Sequence, residues 1–533
     1  MSRTVILAIN AKYAHSSLAV WVLAESVRRY AEFPHDVRIA ETNINQKVNE
    51  IADETASHMP DVVGISVYIW NAGMLPGLIK VLRERLPIAV FVLGGPEASH
   101  NAEYWLNHGA DYVLEGEGER SFPALLDELS RSKSGFAFHE TQDWPPDEYI
   151  DPYAEAYFAA LNNRIAYIET SRGCPFTCAF CLSGSSGVRF FPLSAAKEQI
   201  RKLAASGART IKFVDRTFNC NPGRAYELFE YVISLDTTRC FHFEVAADLF
   251  DARTLELLQT APPGRIQLEA GLQSFYEPAL KASSRRTDLS KAEENIRMLL
   301  RNGNIHVHVD LIAGLPHERL NDFKDGFDRA YALGAHTLQL GFLKLLHGSA
   351  LREKATSIVF TKEPPYEIIS SPWLSVSDLK ILKQAENALQ RTYNKGRFLS
   401  ALGYVLSAAK PRPFELYSAL GEAVPHNGQP LGSYAGQIYE YLSKIPGVDP
   451  AALLDHMIRD WLRMVKGNDM PAFMKAEKTL EKRRKQITEH AERILCRRIR
   501  RYEAVVLPSG MGVFVDSENR DPVTGLYSLH FLE

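Results

Sequence analysis

Three cysteines in one short loop are the residues of this sequence best suited to chemistry. Cys174, Cys178 and Cys181 follow a strand-like segment with the spacing C-x3-C-x2-C. Structural zinc sites usually use four ligands with paired C-x2-C spacing, and no fourth cysteine is near this loop in the sequence. An iron–sulfur cluster normally takes four protein cysteines, so three thiolates leave one iron open. The spacing therefore predicts a [4Fe–4S] cluster that binds a substrate or a cofactor at its fourth iron.

The loop sequence, Glu169-Thr-Ser-Arg-Gly-Cys-Pro-Phe-Thr-Cys-Ala-Phe-Cys-Leu, resembles the radical S-adenosylmethionine (SAM) superfamily. In that superfamily the open iron chelates the amino and carboxylate groups of SAM, and one electron cleaves SAM to a 5′-deoxyadenosyl radical. Free cysteines are common in protein cores, but three of the six cysteines lie in this one loop. The resemblance therefore implies a [4Fe–4S] cluster and SAM as cofactors.

The composition is that of an ordinary globular protein. The chain has 533 residues, 46% hydrophobic and 23% charged, with a net charge of −3; this length predicts about two to four domains. Near-neutral charge argues against a nucleic-acid partner, and no apolar run is long enough to span a bilayer. The first apolar run is too short for a signal peptide, and exposed thiolates require a reducing compartment. We therefore expect a cytoplasmic protein.

Residues 1–135 alternate short apolar strands with helical patterns. This alternation predicts a Rossmann-like, doubly wound parallel sheet with helices on both faces. Ligands of such sheets bind beside the carboxyl ends of the strands, and two of these ends carry Ser66 and the pair Gly94-Gly95. No G-x-G-x-x-G motif follows the first strand, which argues against a dinucleotide.

The rest of the chain predicts a linker and two further domains. Residues 136–163 are rich in proline and aromatic residues, as is typical of a linker. Residues 164–372 predict a partial (β/α)6 barrel with strands at 165–170, 210–214, 242–246, 265–270, 305–312 and 337–342. Residues 373–533 are mainly helical and end in a strand pair at 504–507 and 511–515. In the charged helical stretch 475–501, we expect the inward-facing residues to be Ile487, Ile494, Leu495 and Ile499. The predicted fold class is α/β.

Four barrel residues resemble SAM-contacting positions of the superfamily branch that includes oxygen-independent coproporphyrinogen oxidase. Gln273, in the segment G-L-Q-S, and Asp310 match ribose-binding positions, and Arg285 stands where that branch has a SAM-contacting arginine. Glu244 resembles the acidic residue that meets the methionine amino group. Carboxylates, amides and guanidinium groups suit these partners. The alternative for each is a buried polar residue that only stabilises the core. Asp215-Arg216 stands where many members have Gly-Gly-Glu.

A Rossmann-like domain before a radical SAM barrel resembles the cobalamin-binding members of the superfamily. Ser66, Gly94-Gly95 and Gly116-Glu-Gly-Glu119 resemble their S-x-T/L, G-G and G-E-G-E elements. The glycines let a backbone approach the nucleotide tail closely, and Ser66 offers a hydroxyl to the dimethylbenzimidazole. The D-x-H-x-x-G motif with its axial histidine is absent. His15 lies in the corresponding loop, where we expect it to be solvated or to cap the next helix. A nucleotide-binding or purely structural domain is the alternative.

Methylthiotransferases also begin with an α/β domain, but theirs holds a second cluster on three cysteines. Residues 1–173 contain no cysteine, and Cys220, Cys240 and Cys496 are too scattered for an auxiliary cluster. The order of the predicted domains, with G-F-L-K-L-L-H-G at 341–348 and W-L-S at 373–375, resembles a bacterial group of cobalamin-binding radical SAM proteins. That group has a C-terminal domain of unknown function.

The resemblance implies a cobalamin-dependent radical SAM enzyme, a methyltransferase acting on an unactivated carbon through the 5′-deoxyadenosyl radical. An electron donor such as flavodoxin or ferredoxin is implied as a partner. Lys344 and His347, after the sixth barrel strand, are expected to face the substrate. Two alternatives remain open: a radical SAM rearrangement or cyclisation enzyme without methyl transfer, and a non-enzymatic cobalamin-binding sensor.

Overall fold

The computed structural model describes residues 2–131, 148–184, 187–425, 428–466, 470–475, 481–500 and 502–532. The chain divides into two compact units. The first comprises Met1–Thr260 with Ser283–Arg286 and Leu343–Ile369, and the second comprises Ala261–Ala282, Thr287–Phe342 and Ser370–Glu533. Among the described residues, no helix is both long enough and apolar enough to cross a membrane.

The N-terminal part of the first unit is a five-stranded parallel sheet flanked by helices. In chain order its elements are β1 (Arg3–Asn10), α1 (Leu18–Tyr30), β2 (Asp36–Asn43), α2 (Val48–Ser57), β3 (Val62–Ser66), α3 (Leu75–Arg85), β4 (Val90–Gly94), α4 (Pro96–Ser99), α5 (Ala102–Asn107), β5 (Tyr112–Leu114) and α6 (Gly118–Arg131). The strands are ordered β2-β1-β3-β4-β5. The strand order reverses beside β1, as in a doubly wound sheet.

Strand β1 shows why this sheet needs helices on both faces. Val5, Leu7 and Ile9 belong to one buried apolar cluster, and Ile6 and Ala8 belong to another. Successive side chains of a strand point to opposite faces, so the two clusters cover the two faces of the sheet. A continuous apolar run is the pattern expected for a strand buried on both faces. The predicted doubly wound sheet is confirmed.

The next part of the first unit contains the cysteine loop. Its elements are α7 (Glu155–Leu161), β6 (Ala166–Ile168), β7 (Ser171–Cys174), β8 (Gly187–Phe190), α8 (Leu193–Ala204), β9 (Thr210–Phe213), α9 (Pro222–Ser234), β10 (Cys240–Val245) and α10 (Ala252–Gln259). Strand β9 pairs in parallel with β6 and with β10, and β7 pairs with β8 in an antiparallel hairpin. Helix α7 lies inside the predicted linker, whose residues 136–147 are outside the described part of the chain.

The second unit continues the βα alternation with β11 (Ile266–Gln273), α11 (Glu277–Ala282), α12 (Leu289–Leu300), β12 (His306–Ala313), α13 (Leu320–Tyr331) and β13 (Thr337–Phe342). Strand β12 pairs in parallel with β11 and β13. Buried and half-buried residues alternate along β11 and β12, so one face of each strand is packed and the other carries polar side chains. All six strands predicted between residues 164 and 372 are present, three in each unit.

Residues after β13 form α14 (Ala350–Lys354) and the short pair β14 (Val359–Phe360) and β15 (Ile368–Ser370). The C-terminal region is helical, as predicted, with α15 (Val376–Arg391), α16 (Leu399–Ala408), α17 (Pro413–Ala423), α18 (Leu431–Leu442), α19 (Pro450–Met464) and α20 (Glu481–Leu495). Helix α15 begins with a capping box in which Ser375 and Asp378 satisfy each other's backbone N–H groups.

The chain closes with three antiparallel strands, β16 (Ala504–Val506), β17 (Gly512–Arg520) and β18 (Tyr527–Leu532). The predicted strand pair thus has a third member, because the chain turns back after β17 and pairs again. On α20, Ile487 is buried among Ala504, Val506 and Phe514. Ile494 is 52% exposed, so the expectation that it faces inward is wrong. It lies on the solvent side of the helix.

Candidate active site

The cysteine loop is framed by the β7–β8 hairpin. Cys174 is the last residue of β7, and the loop that follows carries Cys178, which is buried, and Cys181, which is exposed. A tight turn brings the last two together, because the N–H of Cys181 donates to the carbonyl of Cys178 over 3.0 Å. A Cβ at Gly184 would lie 2.7 Å from the carbonyl oxygen of Phe176, so the loop closes only with glycine there.

Hydrogen-bond donors and hydroxyls surround the three sulfurs. The guanidinium of Arg285 donates to Sγ of Cys178 over 3.7 Å. The backbone N–H of Ser183 donates to Sγ of Cys181 over 3.4 Å, and Oγ1 of Thr217 lies 3.4 Å from Sγ of Cys174. Burial raises the pKa of Cys178, and the Arg285 guanidinium opposes that shift. Metal ligation requires thiolates, which these donors and this positive charge favour.

The donor set fits a [4Fe–4S] cluster. All three cysteines are free thiols within one loop. Among the described residues, no three His, Cys, Asp or Glu side chains converge as the ligands of a single metal ion. A cluster of this kind binds each cysteine through a different iron, so its ligands do not need to converge on one point. Three sulfurs with supporting donors are what such a cluster requires from the protein.

Asp215 is a supporting residue whose role the sequence did not reveal. Its carboxylate is 1% exposed and accepts hydrogen bonds from the N–H and Oγ1 of Thr170 and from Oγ of Ser171 at 2.6–2.9 Å. These bonds tie the end of β9 to the chain entering β7. Burial raises the pKa of Asp215 to about 6, against the effect of the hydrogen bonds. The adjacent Arg216 is exposed. The sequence signal that could have indicated this role of Asp215 was a polar residue directly after a buried strand.

Cys220 is a second residue whose relation to the cysteine loop the sequence did not reveal. Burial raises the pKa of its half-buried thiol, and the neighbouring Cys174 adds to the shift. The thiol of Cys220 therefore interacts electrostatically with the thiol of Cys174, although Cys220 lies 39 residues after Cys181 in the chain. Spacing along the chain did not show this.

Glu244, predicted to meet the SAM amino group, already faces a cation. Its Oε1 lies 3.2 Å from Nζ of Lys212 on the neighbouring strand β9. In the register of the sheet, Lys212 stands opposite Tyr167 of β6. Burial raises the pKa of Tyr167, and Lys212 opposes that shift. Glu244 thus belongs to a polar row across three strands, and its contact with SAM stays a prediction.

His15 contacts this row from the N-terminal sheet. Its Nδ1 forms a hydrogen bond with the hydroxyl of Tyr167, and the two rings are stacked with centroids 6.1 Å apart. Burial lowers the pKa of His15, and Lys12 and Lys212 add to the shift. Ser17 is the N-cap residue of α1, and its N–H donates to the carboxylate of Glu41. The expectation that His15 is solvated or caps α1 is therefore wrong.

Gln273 is the last residue of β11, and Asp310 lies within β12, three residues before the strand ends at Ala313. Gln273 has a φ of 69°, which is uncommon for a residue other than glycine, and the strand pairing shifts register between Gly271 and Gln273. A Cβ at Gly271 would lie 2.2 Å from Nε2 of Gln273, so the folded-back side chain requires glycine there. Gly271 pairs directly with Asp310. The structure thus places the two residues on neighbouring strands, with Gln273 paired to Leu311, the residue after Asp310. Their SAM contacts remain predictions.

Ser66 and Gly94 end β3 and β4 and stand opposite each other in the parallel register. Ser66 is buried, and its hydroxyl is 3.5 Å from the carbonyl oxygen of Leu7. Gly95 has a φ of 101°, and a Cβ there would lie 2.8 Å from the carbonyl oxygen of Val67. The fold itself therefore requires glycine at 95. A Cβ at Gly94 would make only ordinary contact, 3.7 Å from the carbonyl oxygen of Leu114, so an alanine fits at this position.

Lys344 and His347 occupy different environments. Lys344 is exposed, and its backbone forms an isolated antiparallel β-bridge with the backbone of Glu367. His347 packs edge-on against the ring of Tyr366, with centroids 4.9 Å apart, and the hydroxyl of Tyr366 donates to the buried carboxylate of Glu97. Burial lowers the pKa of His347 to about 4, and Arg352 adds to the shift. His347 is thus a neutral packing residue in this structure, and the catalytic roles of both residues stay predictions.

Comparison with protein families identifies three successive regions. The model of the B12 binding domain matches residues 4–126, and that of the radical SAM superfamily matches residues 168–330. The model described as protein of unknown function (DUF4080) matches residues 356–507. The three follow one another in the order that the sequence resemblance implied.

Curated relatives and solved structures agree with this order. The chain is 27% identical over 320 residues to hopanoid C-3 methylase of Methylococcus capsulatus, covering 56% of this chain and 60% of that protein. It is 26% identical over 356 residues to the cobalamin-dependent radical SAM methyltransferase TokK of Streptomyces tokunonensis, covering 59% and 52%. The chain thus spans roughly half to three fifths of the relatives that it matches.

Among solved structures, the fold is similar to OxsB, a cobalamin-dependent S-adenosylmethionine radical enzyme solved with aqua-cobalamin and S-adenosylmethionine bound. The TM-score is 0.59 at 13% identity, over 86% of this chain and 79% of that chain. At this identity the likeness concerns the fold.

Proposed function

We propose that this chain, which belongs to the cobalamin-binding radical SAM proteins with a DUF4080 region, is a methyltransferase. The observation that carries the proposal is the set of three free thiols in one loop, in the same compact unit as a sheet that matches the B12 binding domain. When bound, the cluster supplies the electron that cleaves SAM and cobalamin carries the methyl group. The name of the relative hopanoid C-3 methylase supports a carbon atom as the methyl acceptor, and we propose that this carbon is unactivated.

In this proposal the cysteine loop and its neighbours bind the cluster. Cys174, Cys178 and Cys181 provide the thiolates. Arg285 keeps positive charge beside Cys178, and Thr217 places a hydroxyl beside Cys174. Polar groups around ligating sulfurs orient them and tune the metal site. Burial of Cys178 also limits the access of water to one side of the loop.

SAM is proposed to bind at the carboxyl ends of the barrel strands. Asp310 and Gln273 offer oxygen acceptors to the ribose hydroxyls, and the pairing of Gly271 with Asp310 holds β11 and β12 side by side near these two residues. The backbone of Gln273, in its left-handed conformation, is the kind of outlier that accompanies ligand sites. Glu244 offers a carboxylate to the amino group, in exchange for or in addition to its contact with Lys212.

Cobalamin is proposed to bind at the strand ends marked by Ser66 and Gly94, without an imidazole from the protein. The D-x-H-x-x-G motif is absent from the sequence, and the nearest candidate, His15, is already engaged with Tyr167. Gly94 has no side chain at the end of β4, and a Cβ there would make only ordinary contact with Leu114, which supports the approach of a ligand at this edge. We also propose a flavodoxin or ferredoxin as the electron donor and the cytoplasm as the reducing compartment that the thiolates need.

The decisive experiment is anaerobic reconstitution with iron, sulfide and hydroxocobalamin, followed by reduction in the presence of SAM and candidate acceptors. The proposal predicts 5′-deoxyadenosine, S-adenosylhomocysteine and a product heavier than the acceptor by one methylene unit. A product of unchanged mass or with hydrogen lost would instead establish a rearrangement or cyclisation enzyme. Failure to cleave SAM under reducing conditions would leave a cobalamin-binding sensor.

A further inference from the structure

The hairpin that frames the cysteine loop has two like charges facing each other. In the antiparallel register of β7 and β8, Arg172 stands directly opposite Arg189. Like charges at directly opposed positions destabilise a strand pair. The hairpin is short, with four residues in each strand, so few other contacts can offset this repulsion. Its stability therefore depends on carboxylates from elsewhere in the chain.

Glu117 supplies the carboxylate that both arginines share. Its Oε2 lies 2.7 Å from Nη1 of Arg172 and 2.7 Å from Nη2 of Arg189. Glu117 belongs to the G-E-G-E element between β5 and α6, at the carboxyl edge of the N-terminal sheet. One oxygen thus joins the edge of this sheet to both strands of the hairpin.

Two further carboxylates complete the coordination of Arg172. Oε1 of Glu119 lies 2.8 Å from Nη2 of Arg172. Glu169 forms a bidentate pair, with Oε1 at 3.1 Å from Nε and Oε2 at 2.6 Å from Nη2 of the same guanidinium. Bidentate guanidinium–carboxylate pairs are directional as well as strong. Arg172 is thus held by residues before the hairpin and by residues of the N-terminal sheet.

These groups are partly shielded from solvent, and the shared carboxylate of Glu117 is the most exposed of them at 30%. The side chains of Arg172 and Arg189 are 26% and 23% exposed, and that of Glu119 is 9% exposed. Charges in a partly buried network interact more strongly than exposed pairs, because water screens them less. Removal of one charged side chain leaves the remaining charges of the network without enough opposite charge nearby.

We propose that Glu117, Glu119 and Glu169 together with Arg172 and Arg189 form a charged clasp that positions the cysteine-loop hairpin on the edge of the N-terminal sheet. The clasp residues act through the hairpin and are positioning residues. In this assignment Glu117 and Glu119 of the G-E-G-E element bind the β7–β8 hairpin through Arg172 and Arg189. The proposal rests on the proposed function only in taking the cysteine loop as the cluster site.

The test compares hydrogen exchange of the hairpin amides in four proteins, before and after cluster reconstitution: the wild type, Glu117→Gln, the double variant Glu117→Gln/Arg189→Gln, and the control Glu115→Gln. Glu115 is an exposed carboxylate in the same loop. We expect Glu117→Gln to speed exchange at residues 187–190 about tenfold, because the two guanidinium groups then face each other without their shared partner. The double variant removes the repulsion and should recover most of the protection, a non-additive result.

The second readout is SAM cleavage by reconstituted protein at equal iron content. The rate of 5′-deoxyadenosine formation should fall in Glu117→Gln and recover in the double variant. Unchanged hairpin exchange in Glu117→Gln, no recovery in the double variant, or equal acceleration throughout β1–β4 would each overturn the clasp. Faster exchange with unchanged SAM cleavage would overturn its positioning role. Because exchange is also measured before cofactors are added, absent cobalamin uptake or methylation would count against the proposed function alone.

Discussion

The guanidinium of Arg285 donates to the sulfur of Cys178 over 3.7 Å, although the two residues are 107 positions apart in the chain. The same guanidinium lies 5.5 Å from the ring centre of Phe176, within the cysteine loop. A residue predicted to contact SAM therefore also stabilises the thiolate of a predicted cluster ligand. The two roles are compatible, because SAM is proposed to bind at the iron that no cysteine ligates.

The three loop cysteines should be indispensable for the cluster. Replacement of Cys174, Cys178 and Cys181 by alanine removes every thiolate of the loop, so reconstituted protein should lack the visible absorption and the iron of a [4Fe–4S] cluster. It should also form no 5′-deoxyadenosine. Cys496→Ala, which removes an exposed thiol on the C-terminal side of α20, is the control and should retain both. SAM cleavage by the triple variant would exclude the loop as the cluster site.

Asp310→Ala should weaken SAM binding while leaving the cluster spectrum intact. The variant loses a charge-assisted hydrogen bond to a ribose hydroxyl, which is worth about 1.5–3 kcal/mol, or roughly a ten- to hundredfold loss of affinity. The measurement is a SAM titration followed by the change in the electron paramagnetic resonance signal of the reduced cluster. Asp236→Ala, at an exposed position, is the matched control. Equal affinity in the two variants would mean that Asp310 only stabilises strand β12.

Substitutions at Gly94 and Gly95 should have different effects, although the two glycines are adjacent. Gly95→Ala forces a side chain into a left-handed turn and against Val67, and should destabilise the fold by about 1–2 kcal/mol. Gly94→Ala has room for its methyl group and should melt like the wild type. Gly94→Leu should fold but take up little hydroxocobalamin, because its side chain extends from the strand end where the ligand is proposed to bind.

Melting curves and the absorption of bound cobalamin measure these effects. Full cobalamin uptake by folded Gly94→Leu would place the ligand elsewhere. Loss of folding in Gly94→Ala would show that the backbone conformation requires glycine at position 94, as it does at position 95.

Bound cobalamin in the Co(II) state should show no nitrogen superhyperfine splitting from a protein imidazole. His15 is the histidine nearest to the motif position, and its Nδ1 is hydrogen-bonded to Tyr167. His15→Ala should therefore leave the electron paramagnetic resonance spectrum unchanged. Tyr167→Phe serves as the comparison, since it removes the partner and leaves the imidazole. A splitting that is present in the wild type and lost in His15→Ala would identify His15 as the axial ligand.

The stability difference between Asp215→Asn and the wild type should depend on pH. Burial raises the pKa of Asp215 from 3.8 to about 6. The folded protein therefore binds this proton more tightly than the unfolded chain, and the wild type loses stability as pH rises from about 4 to 6. Asparagine cannot ionise, so the variant should gain about 2–3 kcal/mol relative to the wild type over this window.

Thermal melting of both proteins between pH 4 and 7 measures this difference. The variant lacks part of the acceptor capacity for Thr170 and Ser171, so it starts less stable at low pH. A difference that stays constant over the window would show that Asp215 keeps an ordinary pKa in the folded protein.

The sequence by itself determined the features that depend on local spacing. The spacing of Cys174, Cys178 and Cys181 predicted the cluster loop, because neighbouring residues in a short loop cannot separate widely. The apolar run of β1 predicted a strand buried on both faces, which two separate apolar clusters now confirm. Regular alternation of such runs with helical patterns predicted the parallel sheets, and the family models match in the order that the resemblance implied.

Only the tertiary structure decided which distant residues meet. Arg172 and Arg189 face each other because of the hairpin register, and Glu117 reaches both from the edge of another sheet. The pairing of Glu244 with Lys212 depends likewise on which strands are neighbours. The difference between Gly94 and Gly95 depends on backbone torsion and on the distance to Val67. Register and packing depend on residues that are far apart in the chain, so periodicity and spacing along the sequence do not specify them.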